Sequence, residues 1–305
     1  MTNIPDYWRW FPDARFGMFI HWGAYSAHGR GEQVLFREYL EQEEYAKDAC
    51  AWDPQHFNAD EWARIARDAG MKYAVLTTRH HDGFCLWDSA HTDYSTASQA
   101  SGRDFVGEYV EAFRSAGLRV GLYYSLCDWR VPGYWEGPEH DPDGWASFRD
   151  YVHDQVRELL TNYGKIDVMW FDGEWPHSAL EWKSAELVEI MRELQPEIMI
   201  NNRLGKPHPH EIEQGLAEAD SGAGHSAKLG DFGTPEHHIT AEPGRLWESC
   251  QVSTWRLWGY AIGERWRPAD LLLDFLVESA QKGGNLLLNV GPDAEGRLPI
   301  EFVER

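Results

Sequence analysis

Short, nearly uninterrupted apolar runs alternate with segments of helical period along almost the whole chain, and that alternation limits the possible folds more than any other feature. The runs are Phe16–Trp22 (FGMFIHW), Tyr73–Thr78 (YAVLTT), Arg119–Ser125 (RVGLYYS), Asp167–Asp172 (DVMWFD), Ile198–Arg203 (IMINNR), Leu246–Val252 (LWESCQV) and Asn285–Val290 (NLLLNV). Strands apolar on both faces belong to a parallel sheet covered by helices. Between them, Asn58 and the acids after it open a helix that Gly70 stops, and Asp104 to Ala116 forms another ended by Gly117. Helices over Trp145–Tyr163, Ala179–Leu194 and Pro268–Lys282 follow, the last stopped by Gly283-Gly284. These are seven strands, with room for an eighth between Arg203 and Leu246. Eight βα units closing on themselves make a (β/α)8-like TIM barrel of the α/β class, one domain over residues 1–305. An open doubly wound sheet is the alternative, but no GxGxxG follows the first strand.

Charge narrows the partners. The 305 residues carry 28 Lys+Arg against 50 Asp+Glu, a net charge of −22. Nucleic acids and anionic membranes are engaged through clustered Lys and Arg, so neither is expected as a partner. A neutral or cationic small molecule remains. The four cysteines lie far apart with no CxxC pair, which suggests neither a zinc site nor a disulfide framework. The opening MTNIPDYWRWFPDARFG has no basic segment followed by an apolar run, and no stretch approaches the ~18 apolar residues of a membrane span. A cytoplasmic location is expected.

In a barrel of this type the active groups lie at the C-terminal ends of the strands. Read in order, those ends carry His21 and Trp22, then Arg79, His80, His81 and Asp82. Tyr123, Tyr124, Asp128 and Trp129 follow, and then Trp170, Asp172 and Glu174. Asn201, Asn202, Arg203 and Glu248 complete the set. Asp172 stands out because it ends its strand and Gly173 after it permits close approach; a helix-capping Asp is the competing reading. His80-His81-Asp82 is read as hydrogen-bonding groups for ligand hydroxyls, with a metal fragment or a structural role as alternatives. No metal is expected. Trp22, Trp129, Trp170, Trp175 and Trp247 suit the apolar face of a sugar, while about half of the 16 tryptophans belong to the core. Cleavage of a glycosidic bond needs two carboxylates. Asp172 is a candidate nucleophile, and the second carboxylate is either Glu236 in DFGTPEHH or Glu248 in LWESC.

Taken together, WFPDARFGMFIHWGAYS, KYAVLTTRHHDGFCLWDSAHTDY, GLRVGLYYSLCDW, VMWFDGEW, NNR, WESC and GGNLLLNVGPDAEG resemble the retaining α-L-fucosidases, glycoside hydrolase family 29, in order and from about Trp10 to Pro299. The resemblance implies an exo-acting barrel enzyme that removes α-linked L-fucose from fucosylated oligosaccharides or glycosides by double displacement, with no metal or organic cofactor. Asp172 of WFDG matches the nucleophile. DFGTPEHH resembles the loop bearing the acid/base, which makes Glu236 the first choice for that role and Glu248 the second. His21, His80, His81, Tyr123, Trp170 and Arg203 match fucose-binding positions. Glu32 matches a further hydroxyl-binding glutamate, although Gln33 stands where an aromatic usually follows, and Glu248 is otherwise counted among the substrate-binding residues.

Members of that family usually carry a C-terminal β-sandwich, which a chain stopping at Arg305 is expected to lack. Its last helix is then a stub (IEFVER), and the apolar flank this exposes implies a homo-oligomer. The irregular stretch Gly205–Pro243 and the insertion Arg130–Asp143 are expected to set the linkage cleaved. Two other readings compete with the fucosidase one: a glycosidase for a fucose analogue, and an inactive fucose-binding barrel.

Overall fold

Period-two alternation within each apolar run separates two cores. In the computed structural model, which describes residues 4–206, 229–236 and 238–305, the seven runs and one short segment between Arg203 and Leu246 form eight parallel strands. These are β1 Phe16–Ile20, β2 Tyr73–Arg79, β3 Arg119–Ser125, β4 Val168–Asp172, β5 Met199–Ile200, β6 Phe232–Gly233, β7 Leu246–Val252 and β8 Asn285–Val290. They lie in the order β5-β4-β3-β2-β1-β8-β7-β6. One bridge between Asn201 and Phe232 joins the two ends, so the sheet is a nearly closed barrel.

Phe19, Tyr73, Val75, Tyr123, Val168, Trp170, Met199, Cys250 and Leu287 fill the barrel interior. The residues between them in the strands, among them Met18, Ile20, Ala74, Leu76, Leu122, Met169 and Leu286, pack against the helices instead. Successive side chains of a strand face opposite sides, so each sequence position fixes which core it enters. Phe11, on the short helix Trp10–Ala14, plugs the N-terminal end of the barrel against Phe232 and Tyr73. A methyl group at Gly17 would stand 2.6 Å from the Tyr73 ring, so glycine there makes room for that tyrosine.

The helices keep the predicted caps. Asn58 accepts a hydrogen bond from the Glu61 N–H ahead of Ala59–Asp68, and Asp104 accepts one from the Gly107 N–H ahead of Phe105–Ser115. The third long helix starts earlier than its apolar pattern suggests, at Pro142 behind the Asp141 cap. The fourth starts later, at Ser184, because the chain first makes turns in which His177 and Trp182 pack against Trp145. Pro268 precedes the helix Ala269–Gln281 as its cap. That helix leaves Leu273 and Val277 exposed, and Ile300 and Val303 are exposed on the short helix Ile300–Val303. No described helix is long and apolar enough to cross a membrane.

Behind the mouth sits a fully buried ion pair. The Arg79 guanidinium donates to Asp128 Oδ2 at 2.8 Å, and Arg130 donates to the same carboxylate at 2.7 Å. Burial opposes the charge on Asp128, but Arg130 and Arg79 outweigh it and hold the carboxyl below its usual range. The pair ties the ends of β2 and β3 together. Asp128→Asn leaves the Arg79 charge buried and uncompensated, and should cost about 3–5 kcal/mol in urea unfolding. A loss below ~1 kcal/mol, the range of an exposed pair, would contradict this assignment.

Candidate active site

The parity of the strands carries straight into the barrel mouth. His21 lies two residues past Phe19, Asp172 two past Trp170, and Cys250 two past Glu248, so all three rise from inward-facing positions. Together with Phe19, Glu32, His80, His81, Tyr123, Trp170, Arg203 and Glu236 they line a cavity of about 280 Å³ at the C-terminal ends of the strands. That is at the small end of the ~300–1,000 Å³ typical of ligand pockets, a size suited to a single sugar ring.

Arg203 organises the polar groups. It follows β5, and its Nη1 donates to Asp172 Oδ1 at 2.9 Å while Nη2 donates to Glu236 Oε2 at 2.8 Å. Its Nε donates to Thr234 Oγ1 at 3.0 Å, and its guanidinium carbon stands 4.7 Å from the Trp170 ring centre. Asp172 also accepts from the Tyr123 hydroxyl at 3.0 Å, and His81 Nε2 lies 3.7 Å from the same Oδ2. Burial resists ionisation of Asp172, but the Arg203 guanidinium and the Tyr123 hydroxyl more than offset it. The carboxyl is held below its usual range and is an anion at neutral pH. Glu236 sits beyond β6, bridged through its backbone to Cys250 of β7, and is the more exposed of the two carboxylates.

The imidazoles stay neutral because burial penalises their charged form. His21 is pushed down to about 3, His81 to about 4, and His80 well below its ordinary value. Hydrogen bonding then sets their tautomers. The Asn289 amide donates to the Trp258 carbonyl at 2.7 Å, so its oxygen faces His21 Nδ1 at 2.6 Å and must accept from it. Ser125 Oγ donates to the Cys127 carbonyl at 2.9 Å, which leaves that oxygen to accept from His81 Nδ1 at 2.7 Å. In both rings the proton is on Nδ1 and Nε2 is an acceptor. Acceptors on neutral rings suit sugar hydroxyls, which bring the protons themselves.

Of the residues singled out in the sequence, Asp172, Glu236, His21, Glu32, His80, His81, Tyr123, Trp170 and Arg203 all line the cavity. Glu32 is buried, with Oε2 accepting from the Trp258 and Gly259 N–H groups, and burial lifts its carboxyl despite them. Glu248 is a correction. It lies one inward layer below Cys250 and is fully buried, and its carboxylate accepts from Tyr73 Oη at 2.6 Å and Trp170 Nε1 at 2.8 Å. Burial pushes it up to about 7. It supports Trp170 from beneath and meets no ligand in the cavity. Trp22 and Trp247 likewise do not reach the cavity, since Trp22 packs among Trp52, Phe57 and Trp62 in the outer core. Gly173 (φ +70°) allows close approach as expected, but to Ser125 and Cys127 rather than to a ligand.

Glu174 and Trp175, both named at the strand ends, also line the cavity, and it gains Cys250 and Trp258, which the sequence reading did not assign. Cys250 could have been found by parity from the β7 pattern. Trp258 lies in the loop after β7, where no local period points it inward. Among the described residues no three His, Cys, Asp or Glu side chains converge as metal ligands. Residues 207–228 of the stretch expected to govern linkage lie outside the described residues.

With this geometry in place, the comparisons are specific. The family model described as alpha-L-fucosidase matches residues 3–305. The bovine tissue alpha-L-fucosidase is 30% identical over 97% of this chain, which spans 65% of that protein's length. The structure of alpha-L-fucosidase isoenzyme 1 from Paenibacillus thiaminolyticus is 40% identical, with a TM-score of 0.85 over 98% of this chain and 73% of its own. A Bacteroides thetaiotaomicron alpha-L-fucosidase, solved as a trapped covalent intermediate in complex with 2-fluoro-fucosyl fluoride, is 29% identical. Its TM-score is 0.88 over 99% of this chain and 73% of its own.

The tautomer assignment is checked by ¹⁵N NMR of the imidazoles at pH 5.5. His21 and His81 should be neutral with the proton on Nδ1, since pH 5.5 lies above both of their values. Imidazolium signals from either ring would contradict the burial argument.

Proposed function

Because this chain belongs to the alpha-L-fucosidase family, we propose that it is an exo-acting retaining glycosidase that releases α-linked L-fucose from fucosylated glycans or glycosides. The observation that carries the reading is the Arg203 guanidinium holding Asp172 and Glu236 together at the wall of a one-ring cavity. Retaining hydrolysis requires two carboxylates with different work, and here Asp172 is held ionised against the cavity wall while Glu236 stands nearer the solvent.

Asp172 is the nucleophile. Its charge is fixed by Arg203 and Tyr123, and it attacks the anomeric carbon as the glycosidic bond breaks. Glu236, nearer the solvent, delivers a proton to the departing oxygen. The covalent fucosyl–Asp172 ester is then opened by a water that gives its proton to Glu236, so the configuration is retained and both carboxyls return to their starting states. His21 and His81 accept ring hydroxyls through Nε2 and orient the sugar. The aromatic walls of Phe19, Trp170 and Trp258 suit its C5 methyl and apolar face. A buried tyrosine and a neutral histidine beside Asp172 add no charge that would compete with Arg203 as the group partnering both carboxylates.

The test is release of p-nitrophenol from p-nitrophenyl α-L-fucoside. Wild type should turn over, and Asp172→Asn should lose at least ~10³-fold in kcat. Glu236→Ala should retain far more activity on this good leaving group than on a fucosylated disaccharide, and added azide should restore turnover by replacing the base-activated water. L-Fucose binding with no turnover by wild type would instead favour the inactive binding barrel.

A further inference from the structure

The sugar cavity does not end at its rim. The wall formed by Glu32 and Gln33 continues through Leu35 and Phe36 into a second, more open cleft of about 720 Å³. Trp129 joins the two from behind: its ring packs 5.1 Å from that of His81, which lines the sugar cavity, and it also lines the cleft. One layer of side chains therefore separates a cavity that fits a single ring from a cleft with more than twice its volume.

The cleft carries an aromatic shelf fixed in place before any ligand arrives. Phe36 stacks on Trp129 (5.2 Å, 30°) and on Trp135 (6.0 Å, 12°). The Trp135 indole N–H donates to the Trp129 carbonyl at 2.9 Å, which locks its plane. Yet Phe36 and Trp135 remain 50% and 51% exposed. Large rings held rigid and half in water contribute little to a core, and such faces are those on which pyranose C–H surfaces stack. The rim supplies Glu41, Glu43 and Glu44 against one lysine, Lys47. Carboxylates accept hydroxyl protons and repel anions.

We propose that this cleft is the aglycone subsite, stacking neutral pyranose rings of the fucosylated glycan on Phe36 and Trp135 while its acidic rim disfavours sialylated or sulfated ones. The proposal rests on the fucosidase reading for its catalytic consequence, but the binding it asserts is separately measurable. Trp135 lies outside the sugar cavity and half in solvent, so its truncation leaves the catalytic groups in place.

Two measurements test it. For Trp135→Ala and Phe36→Ala, kcat/KM on a neutral fucosylated trisaccharide should fall about five- to tenfold, mainly through KM, while α-L-fucosyl fluoride, which has no aglycone ring, should be hydrolysed as by wild type. Equal losses on both substrates, or none on the trisaccharide, would overturn the proposal. Independently, the Trp135 indole N–H resonance should shift saturably with N-acetyllactosamine, and several-fold more weakly with its 3′-sialylated form. Glu41→Gln/Glu43→Gln/Glu44→Gln should narrow that difference. No shift with the neutral sugar, or equal affinity for the sialylated one, would refute the subsite. Failure of wild type on fucosyl fluoride would defeat the fucosidase reading alone, leaving the cleft to be decided by the resonance.

Discussion

The site depends on one guanidinium placed between two carboxylates. Without the Arg203 charge, burial would drive Asp172 toward its neutral, unreactive form. Arg203 donates to both carboxyl groups but supplies a single positive charge between them. Asp172 receives additional help from the Tyr123 hydroxyl, while Glu236 stands further into solvent. The two carboxyls therefore differ in what surrounds them, and the proposed division of work between nucleophile and acid/base rests on that difference. Trp170 completes the arrangement by stacking beneath Arg203, and buried Glu248 holds the Trp170 indole in turn. A chain of three contacts thus runs from the barrel interior to the reacting groups.

The barrel makes that chain possible because its inner face is stacked in layers. Glu248 with Tyr73 and Trp170 forms a polar layer inside an otherwise apolar stack, and it is tolerated because the contacts of its carboxylate with the hydroxyl and the indole are satisfied. Above it, Tyr123 lies beside Trp170 with rings nearly parallel at 5.6 Å, and its hydroxyl reaches Asp172. The neutral imidazoles follow from the same low-dielectric setting. A site built for hydroxyls, rather than for anions, follows from neutral rings that accept through Nε2 and from one cation already engaged by carboxylates.

Much of this was legible in the sequence, and the boundary of what was legible has physical causes. β3, β7 and β8 are long and apolar, and their ends fall where the pattern stops. β5 and β6 are two residues each, too short for a period to declare itself, and β6 lies in a Gly- and Pro-rich stretch with no apolar pattern around it. Asp172, His21 and Arg203 were recognisable because a strand end and a polar residue coincide there. Glu248 was misread because the same coincidence fails to report depth: it is mid-strand, two residues below the layer that meets the cavity. Trp258 was missed because its position depends on a loop held by Asn289 and Glu32, from distant parts of the chain.

The central claim, that Asp172 is the anion that Arg203 holds ready for attack, is tested most directly by trapping. The protein is incubated with 2-deoxy-2-fluoro-α-L-fucosyl fluoride, whose fluorine slows breakdown of the intermediate, then digested and analysed by mass spectrometry. One fucosyl adduct per chain, on the peptide containing Asp172, is the predicted result. An adduct on Glu174 or Glu236, or hydrolysis of the reagent by a wild-type protein that never accumulates an adduct, would contradict it.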